Sequence, residues 1–320
     1  MAILERIARL KVLLPLIGIA IFIYIIKEIG TNNIINALCN INPVLFAISL
    51  LIFVPRIIIS TYRWKMIADI QGIIISLPSL IKLNLIGLFY GTITPLWLGD
   101  YIRIPYLREE TGEPFGKCAS NIIIDQIMEF SSLFILAVIG SAVLVKHFPS
   151  LFFILFSIFV IFVSVTIFLK KKKRSEKFFR IIYKIFIPEK LKASVANEFD
   201  AFYRDMPALK SLMLPLLIGL FSYALYFAQI YIIALSFSVD IPFATFILIY
   251  PVASLIGLIP ITVSGLGTRE AALIHIFSIY GIPSNITVAI SLSGYVITML
   301  IPSIIGGILA VTRIKSAEKV

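Results

Sequence analysis

Arg269 and Glu270 stand side by side behind two glycines, Gly265 and Gly267, in a stretch that reads GLIPITVSGLGTRE over residues 257–270. Arginine is a permanent cation whose planar fork of donors matches a carboxylate or a phosphate. Glycine lets the backbone approach a ligand closely. If a helix starts near Arg269, its free N–H groups and the guanidinium converge, and both favour an anion, phosphate above all. Thr262, Ser264 and Thr268 add hydroxyl donors, and Pro260 breaks the run before them. The same residues admit a structural role, in which Arg269 pairs with Glu270 or with a carboxylate elsewhere and ties helices together. A third role is coupling to an ion.

A weaker echo lies at residues 91–103, with Thr92, Thr94, Pro95, Gly99, Asp100 and Arg103. Both stretches carry Gly-x-x-x-Arg, Gly99 to Arg103 and Gly265 to Arg269, each preceded by a proline. The two breaks are expected to face each other and to form one site. Asn121, Asp125 and Glu129 recur at helical spacing and so share a helix face. They are candidate charge partners for Arg103 or Arg269, carriers of a proton or sodium ion, or residues of an aqueous loop. Arg56 lies deep in an apolar run and joins them as a candidate partner or coupling residue. Arg63, Trp64 and Lys65 read as anchors at a membrane interface.

Other chemistry finds little support. Cys39, Cys118, His147 and His275 are isolated, so no disulfide framework or metal site is expected. There is no acidic magnesium cluster, no nucleophile–base set and no Walker-type phosphate loop. The expectation is no enzyme, no catalytic residue, no metal and no cofactor.

The elements that must position these residues are set by composition. Of 320 residues 60% are hydrophobic and 14% charged, with a mean hydropathy of +1.04. A soluble domain carries roughly 45–50% apolar residues, so this is an all-α integral membrane protein. The net charge of +11 sits where it suits an anionic membrane surface rather than nucleic acid. Apolar segments cover about 12–26, 43–61, 78–99, 118–145, 148–169, 211–236, 242–263 and 284–312. The first reads as a retained helix and not as a cleaved signal peptide. The last contains Gly294, Pro302, Gly306 and Gly307, which predict a kink or tilt.

Charge placement limits the topology. Lys170–Arg174 is a strong inside marker, and Arg6, Arg9, Lys65 and Arg313 point to the same face. Full crossings by every segment would put Lys170–Arg174 outside. Parity is restored if 78–116 and 242–281 are re-entrant hairpins from opposite faces. An extra crossing in each region would restore it equally. The prediction is six full crossings and two re-entrant helical hairpins in an inverted repeat, with both termini cytoplasmic in the cell membrane. The single domain 1–320 divides into halves 1–169 and 211–320. The linker 170–210 carries 12 Lys and Arg against 5 Asp and Glu. It reads as a basic amphipathic helix on the inner lipid surface or as a solvated linker.

Leu88–Arg103 and Pro260–Glu270 together resemble the two signatures of the flippase-like transmembrane family, which includes the membrane domain of lysylphosphatidylglycerol synthases. The second is the more distinctive, and the resemblance spans nearly the whole chain. The matching residues are Pro95, Gly99, Asp100, Arg103, Pro260, Gly265, Gly267, Arg269 and Glu270. The resemblance implies movement of a charged or glycosylated lipid between leaflets. The synthases carry a soluble aminoacyl-transferase domain after their membrane region. This chain shows none before Val320, so aminoacylation is not expected.

The function expected is translocation of a phosphate-bearing or glycosylated lipid, with an anionic membrane lipid as partner. Its substrate residues would be Arg103, Arg269, Glu270, Gly265, Gly267, Thr268, Asp100, Pro95 and Pro260, balanced by Asp125, Glu129, Asn121 and Arg56. The rivals are a secondary transporter of a small soluble anion and a non-transporting lipid-binding scaffold. The sequence sets no oligomeric state.

Overall fold

The computed structural model describes residues 21–178, 189–259 and 265–317, and they are helical with short connections and no strand. Helices α1 (21–29) and α2 (Thr31–Cys39) lead into α3 (Pro43–Ile70). Helix α4 (Leu77–Ile93) passes through a 3-10 turn (Pro95–Ile102) into α5 (Arg103–Thr111). Then come α6 (Phe115–Val143), α7 (Pro149–Leu169), α8 (172–178) and α9 (Glu189–Arg204). The second half comprises α10 (Met213–Ser236), α11 (Phe243–Ile256), α12 (Thr268–Ser278) and α13 (Ser284–Tyr295). A π turn (Val296–Leu300) joins α13 to α14 (Ile301–Ala317). Helix starts follow local rules. Asn42 accepts the N–H groups of Val44 and Leu45 at 3.0 and 3.2 Å, with Pro43 first in the helix. Ser76 caps α4 in the same way through Ser79.

Five helical stretches are long and apolar enough to cross a bilayer: Pro43–Ile70, Phe115–Val143, Pro149–Leu169, Lys210–Ser236 and Ser284–Arg313. Their outward residues are apolar: α7 exposes Phe153, Ile154 and Ile161 and buries only Leu155. This is a multi-pass membrane protein. The sixth expected crossing, 12–26, lies mostly outside the described residues. Helices α4 and α11 have 17 and 14 residues, short of the ~20 a span needs.

The ends of these helices can be followed through their contacts. The Asn42 N–H donates to the Ser236 carbonyl at 2.8 Å, so α3 begins where α10 ends. At its other end, Gln71 reaches the Asp205 carbonyl at 3.4 Å. Near that end Leu80 on α4, Leu107 on α5 and Cys118 on α6 share one buried cluster. Arg313 on α14 pairs there with Glu109 and Glu110 on α5, at 3.2 and 2.8 Å. The chain from 77 to 111 therefore leaves and returns to one end of the molecule. In the second half the rings of Phe246 on α11 and Phe277 on α12 lie 5.6 Å apart, so the chain from 243 to 278 also doubles back. It starts a few residues after Ser236, at the opposite end of α3.

The halves exchange contacts: α4 packs on α14, α11 packs on α6, and α3 packs on α10 between them. One constant register relates Gly91 to Gly257, Gly99 to Gly265, Arg103 to Arg269 and Gly140 to Gly306. The last pair marks the closest glycine approaches between the halves. A Cβ on Gly140 would sit 1.7 Å from the Leu248 carbonyl oxygen of α11, and one on Gly306 would sit 1.9 Å from that of Leu85 on α4. Small residues let membrane helices pack this closely.

The segment 170–210 is no bare linker where it is described. Helix α9 docks on α6, with Glu198 accepting from the Gly116 N–H at 2.6 Å. Tyr203 donates to the Leu169 carbonyl at 2.8 Å. Phe179, Ile182, Tyr183 and Phe186, part of the expected amphipathic face, lie outside the described residues.

Candidate functional site

The two breaks line one cavity of about 190 Å³ between the halves. Trp97, Asp100 and Arg103 enter it from the first break, and Gly257, Gly265 and Arg269 from the second. Helix α3 supplies Arg56, Ser60 and Arg63, which its periodicity sets on one face. Asp125 and Glu129 come from α6, Tyr223 and Tyr226 from α10, and Thr298 and Met299 from the π turn.

The first break is held by tight packing. On α4 a Cβ at Gly87 would lie 2.3 Å from Asp100 Oδ1, and one at Gly91 would lie 2.8 Å from the Trp97 ring. A Cβ on Gly99 would fall 2.1 Å from the Tyr90 carbonyl oxygen. Only glycine at these places lets the 3-10 turn fold back on α4. Trp97 has φ of 57°, left-handed and strained for a bulky residue. The second break uses Gly265 and Gly267, with φ of 77° and 96°. Pro260, Thr262 and Ser264 lie outside the described residues. Pro95 opens the 3-10 turn.

Most of the charge is matched within the cavity wall. Arg63 donates from Nε to Asp125 at 3.0 Å and from Nη2 to Glu129 at 3.0 Å. Arg103 donates from Nη1 to Asp125 at 3.2 Å and from Nη2 to Asp100, and Asp100 also accepts from Gln126. The Arg103 guanidinium lies 4.8 Å over the Trp64 ring. Asp125 thus bridges α3 and the first break. In the second half Arg269 donates from Nε to Ser291 Oγ at 3.0 Å and from Nη2 to Glu270 at 2.8 Å. Ser291 stands in the same register to Asp125 as Arg269 does to Arg103.

Several expected site residues take other places. Glu270 is fully buried and does not line the cavity. Its carboxylate accepts from the Gly267 N–H at 2.5 Å, from Ser291 at 2.6 Å and from Arg269. The start of α12 is therefore capped by its own side chain, as a negative group at a positive helix end should be. Thr268 bonds back to the Gly265 carbonyl at 3.4 Å. Asn121 is no partner of a charge. It accepts from Trp64 Nε1 at 2.6 Å and donates to Gln71 at 2.9 Å. Arg56 is not paired with Asp125 or Glu129; Nη2 donates to the Thr298 carbonyl at 3.2 Å. Proline 302 has no N–H to return to that carbonyl four residues back, which leaves it open to Arg56.

Arg63 corrects the reading of an interface anchor, because it is buried between two carboxylates. Its helical alignment with Arg56 was the available signal. Among the described residues no three His, Cys, Asp or Glu side chains converge as metal ligands.

A model of the lysylphosphatidylglycerol synthase TM region matches residues 10–306. The chain belongs to that family. Three archaeal members that it resembles along almost their whole length are UPF0104 membrane proteins. That of Methanocaldococcus jannaschii is 25% identical over 310 residues, 92% of each chain. One of Methanothermobacter thermautotrophicus is 24% identical over 327 residues, 95% of this chain and 93% of the relative. That of Pyrococcus horikoshii is 21% identical, covering 95% of this chain and 98% of the relative. The family match includes both breaks, and so the cavity they line.

Proposed function

We propose that this protein translocates a phosphate-bearing or glycosylated lipid between membrane leaflets, its head group passing through the cavity while its tails stay in the bilayer. The observation that carries this reading is the meeting of both chain breaks, with four arginines, in one cavity between the halves. A polar path flanked by apolar helix faces suits a molecule that is charged at one end only. In this reading 77–111 and 243–278 are re-entrant hairpins. They approach the cavity from opposite ends of α3, which gives an inverted repeat of the kind alternating-access transporters use. In this reading the basic residues Lys170–Arg174 and Arg313 put the Ile70 end of α3 in the cytoplasm and its Pro43 end outside. The protein acts as a carrier and makes or breaks no covalent bond.

Family membership supports a lipid-related role in the membrane. Vesicles reconstituted with the protein test it. Exchange of fluorescent phospholipids between leaflets, faster than in protein-free vesicles, is the expected result. Uptake of a soluble anion into sealed vesicles without lipid exchange would favour an anion transporter instead.

A further inference from the structure

We infer that Arg56 is the residue that grips the phosphate of the transported head group, while Arg63, Arg103 and Arg269 hold the cavity in shape. This rests on the translocation reading for the identity of the cargo, and on geometry for the residue. Arg63, Arg103 and Arg269 each meet a carboxylate within 3.2 Å, through Asp125, Glu129, Asp100 and Glu270. Among the described residues Arg56 is the cavity arginine without a carboxylate partner.

The surroundings of Arg56 are those of a prepared anion site. Its guanidinium spends Nη2 on the Thr298 carbonyl at 3.2 Å, and its buried Nε has no partner. It lies 5.3 Å from the Tyr226 ring and 5.8 Å from the Phe53 ring. Such rings stabilise a cation without using its donors. A guanidinium set in a membrane interior with donors left over is costly. An oxyanion arriving from the cavity removes that cost through charge-assisted bonds. Ser222 lines the same space and offers a hydroxyl donor to a remaining oxygen, while the Ser60 hydroxyl donates to the Ile57 carbonyl at 3.0 Å. Glu129 exposes 41% of its side chain while holding Arg63. Its carboxylate keeps Arg63 engaged and leaves Arg56 as the cation open to a phosphate.

The site is also asymmetric in a useful way. In the register that relates the halves, the counterpart of Arg56 is Ser222 and that of Arg63 is Gln229. The unpaired cation belongs to one half only. A phosphate therefore binds off the pseudo-symmetry axis, on α3, and the hairpins are free to shift around it.

The test uses purified full-length protein in a neutral detergent. It is titrated with short-chain phosphatidic acid, with diacylglycerol and with inorganic phosphate, and followed by tryptophan emission, Trp97 being on the cavity wall. Saturable binding of phosphatidic acid and none of diacylglycerol is expected. Arg56→Gln should weaken that binding roughly thirtyfold, the loss of a charged hydrogen-bond partner, and Arg56→Lys should weaken it less. Melting temperatures of the variants identify any that fail to fold, in which case Arg56→Lys alone is compared with wild type. Wild-type affinity in Arg56→Gln, or no binding by the wild type, would overturn the assignment. Equal binding of inorganic phosphate with the same dependence on Arg56 would keep the anion site and overturn its lipid source. Arg56-dependent binding without leaflet exchange would sink the translocation reading alone. Exchange with binding indifferent to Arg56 would sink this inference alone.

Discussion

Arg103 reaches from the first chain break to Asp125 on α6, Nη1 to Oδ2 at 3.2 Å. In the second half the register that relates the two puts Arg269 against Ser291, Nε to Oγ at 3.0 Å. The same joint is thus ionic in one half and neutral in the other. Asp125 also holds Arg63, so it ties the first break to α3, whereas the second break supplies its own carboxylate, Glu270.

Asp125→Asn should therefore cost more than Ser291→Ala. Removing one member of a buried ionic network costs about 3 kcal/mol, while a neutral hydrogen bond is worth about 1 kcal/mol. Thermal unfolding in detergent should show a clear drop for the first and a small one for the second. Equal shifts would mean that the two joints are not the unequal pair their contacts describe.

Gly140 and Gly306 should be equally intolerant of a side chain. Each lets a helix of one half touch the backbone of the other half, and an added Cβ meets a carbonyl oxygen at 1.7 or 1.9 Å. Gly140→Ala and Gly306→Ala should each destabilise by about 1–3 kcal/mol through overpacking. Retention of wild-type melting by either would contradict the close approach there.

Pro302→Ala restores an N–H that can return to the Thr298 carbonyl, in competition with Arg56. Stability should rise by about 1 kcal/mol or more, given the cost of proline inside a helix. Lipid exchange should slow, because the π turn beside the cavity straightens; π turns often mark functional sites. Unchanged exchange in a stabilised variant would separate the π turn from function.

The native cysteines report orientation. Cys39 is exposed and Cys118 buried. Cys39 lies just before α3, at the end assigned to the outside, so a membrane-impermeant maleimide should label it in intact cells. Cys118 should react only after denaturation. Labelling of Cys39 only after permeabilisation would reverse the proposed orientation.

The membrane class and the meeting of the two breaks were legible in the sequence, the first from composition and the second from Gly99–Arg103 and Gly265–Arg269. Apolar runs gave eight segments, five of which fall on the long helices, and run length alone did not separate these from 78–99 and 242–263. The pairing of charges was harder to read. Arg63 sits beside Trp64 and Lys65, a grouping that suits an interface, and only packing against α6 reveals its burial. Asn121 shares a face with Asp125, yet Trp64 and Gln71 claim it. The start of α12 looked like an open anion site, but Glu270 folds back onto it, a capping choice that depends on side-chain geometry. The match of Asp125 to Ser291 was hidden because the residue types differ. The kink expected from Pro302 takes the form of a π turn, which no residue pattern specifies.

The most direct measurement is leaflet exchange in vesicles holding the purified protein and a trace of lipid with a fluorescent head group and a phosphate. Addition of a membrane-impermeant quencher reads the outer-leaflet fraction over time. Exchange at least about tenfold faster than in protein-free vesicles is expected, a change of about 1.4 kcal/mol in the barrier, and Arg56→Gln should abolish most of the gain. Equal rates with and without protein, across several phosphate-bearing lipids, would rule out translocation by this chain.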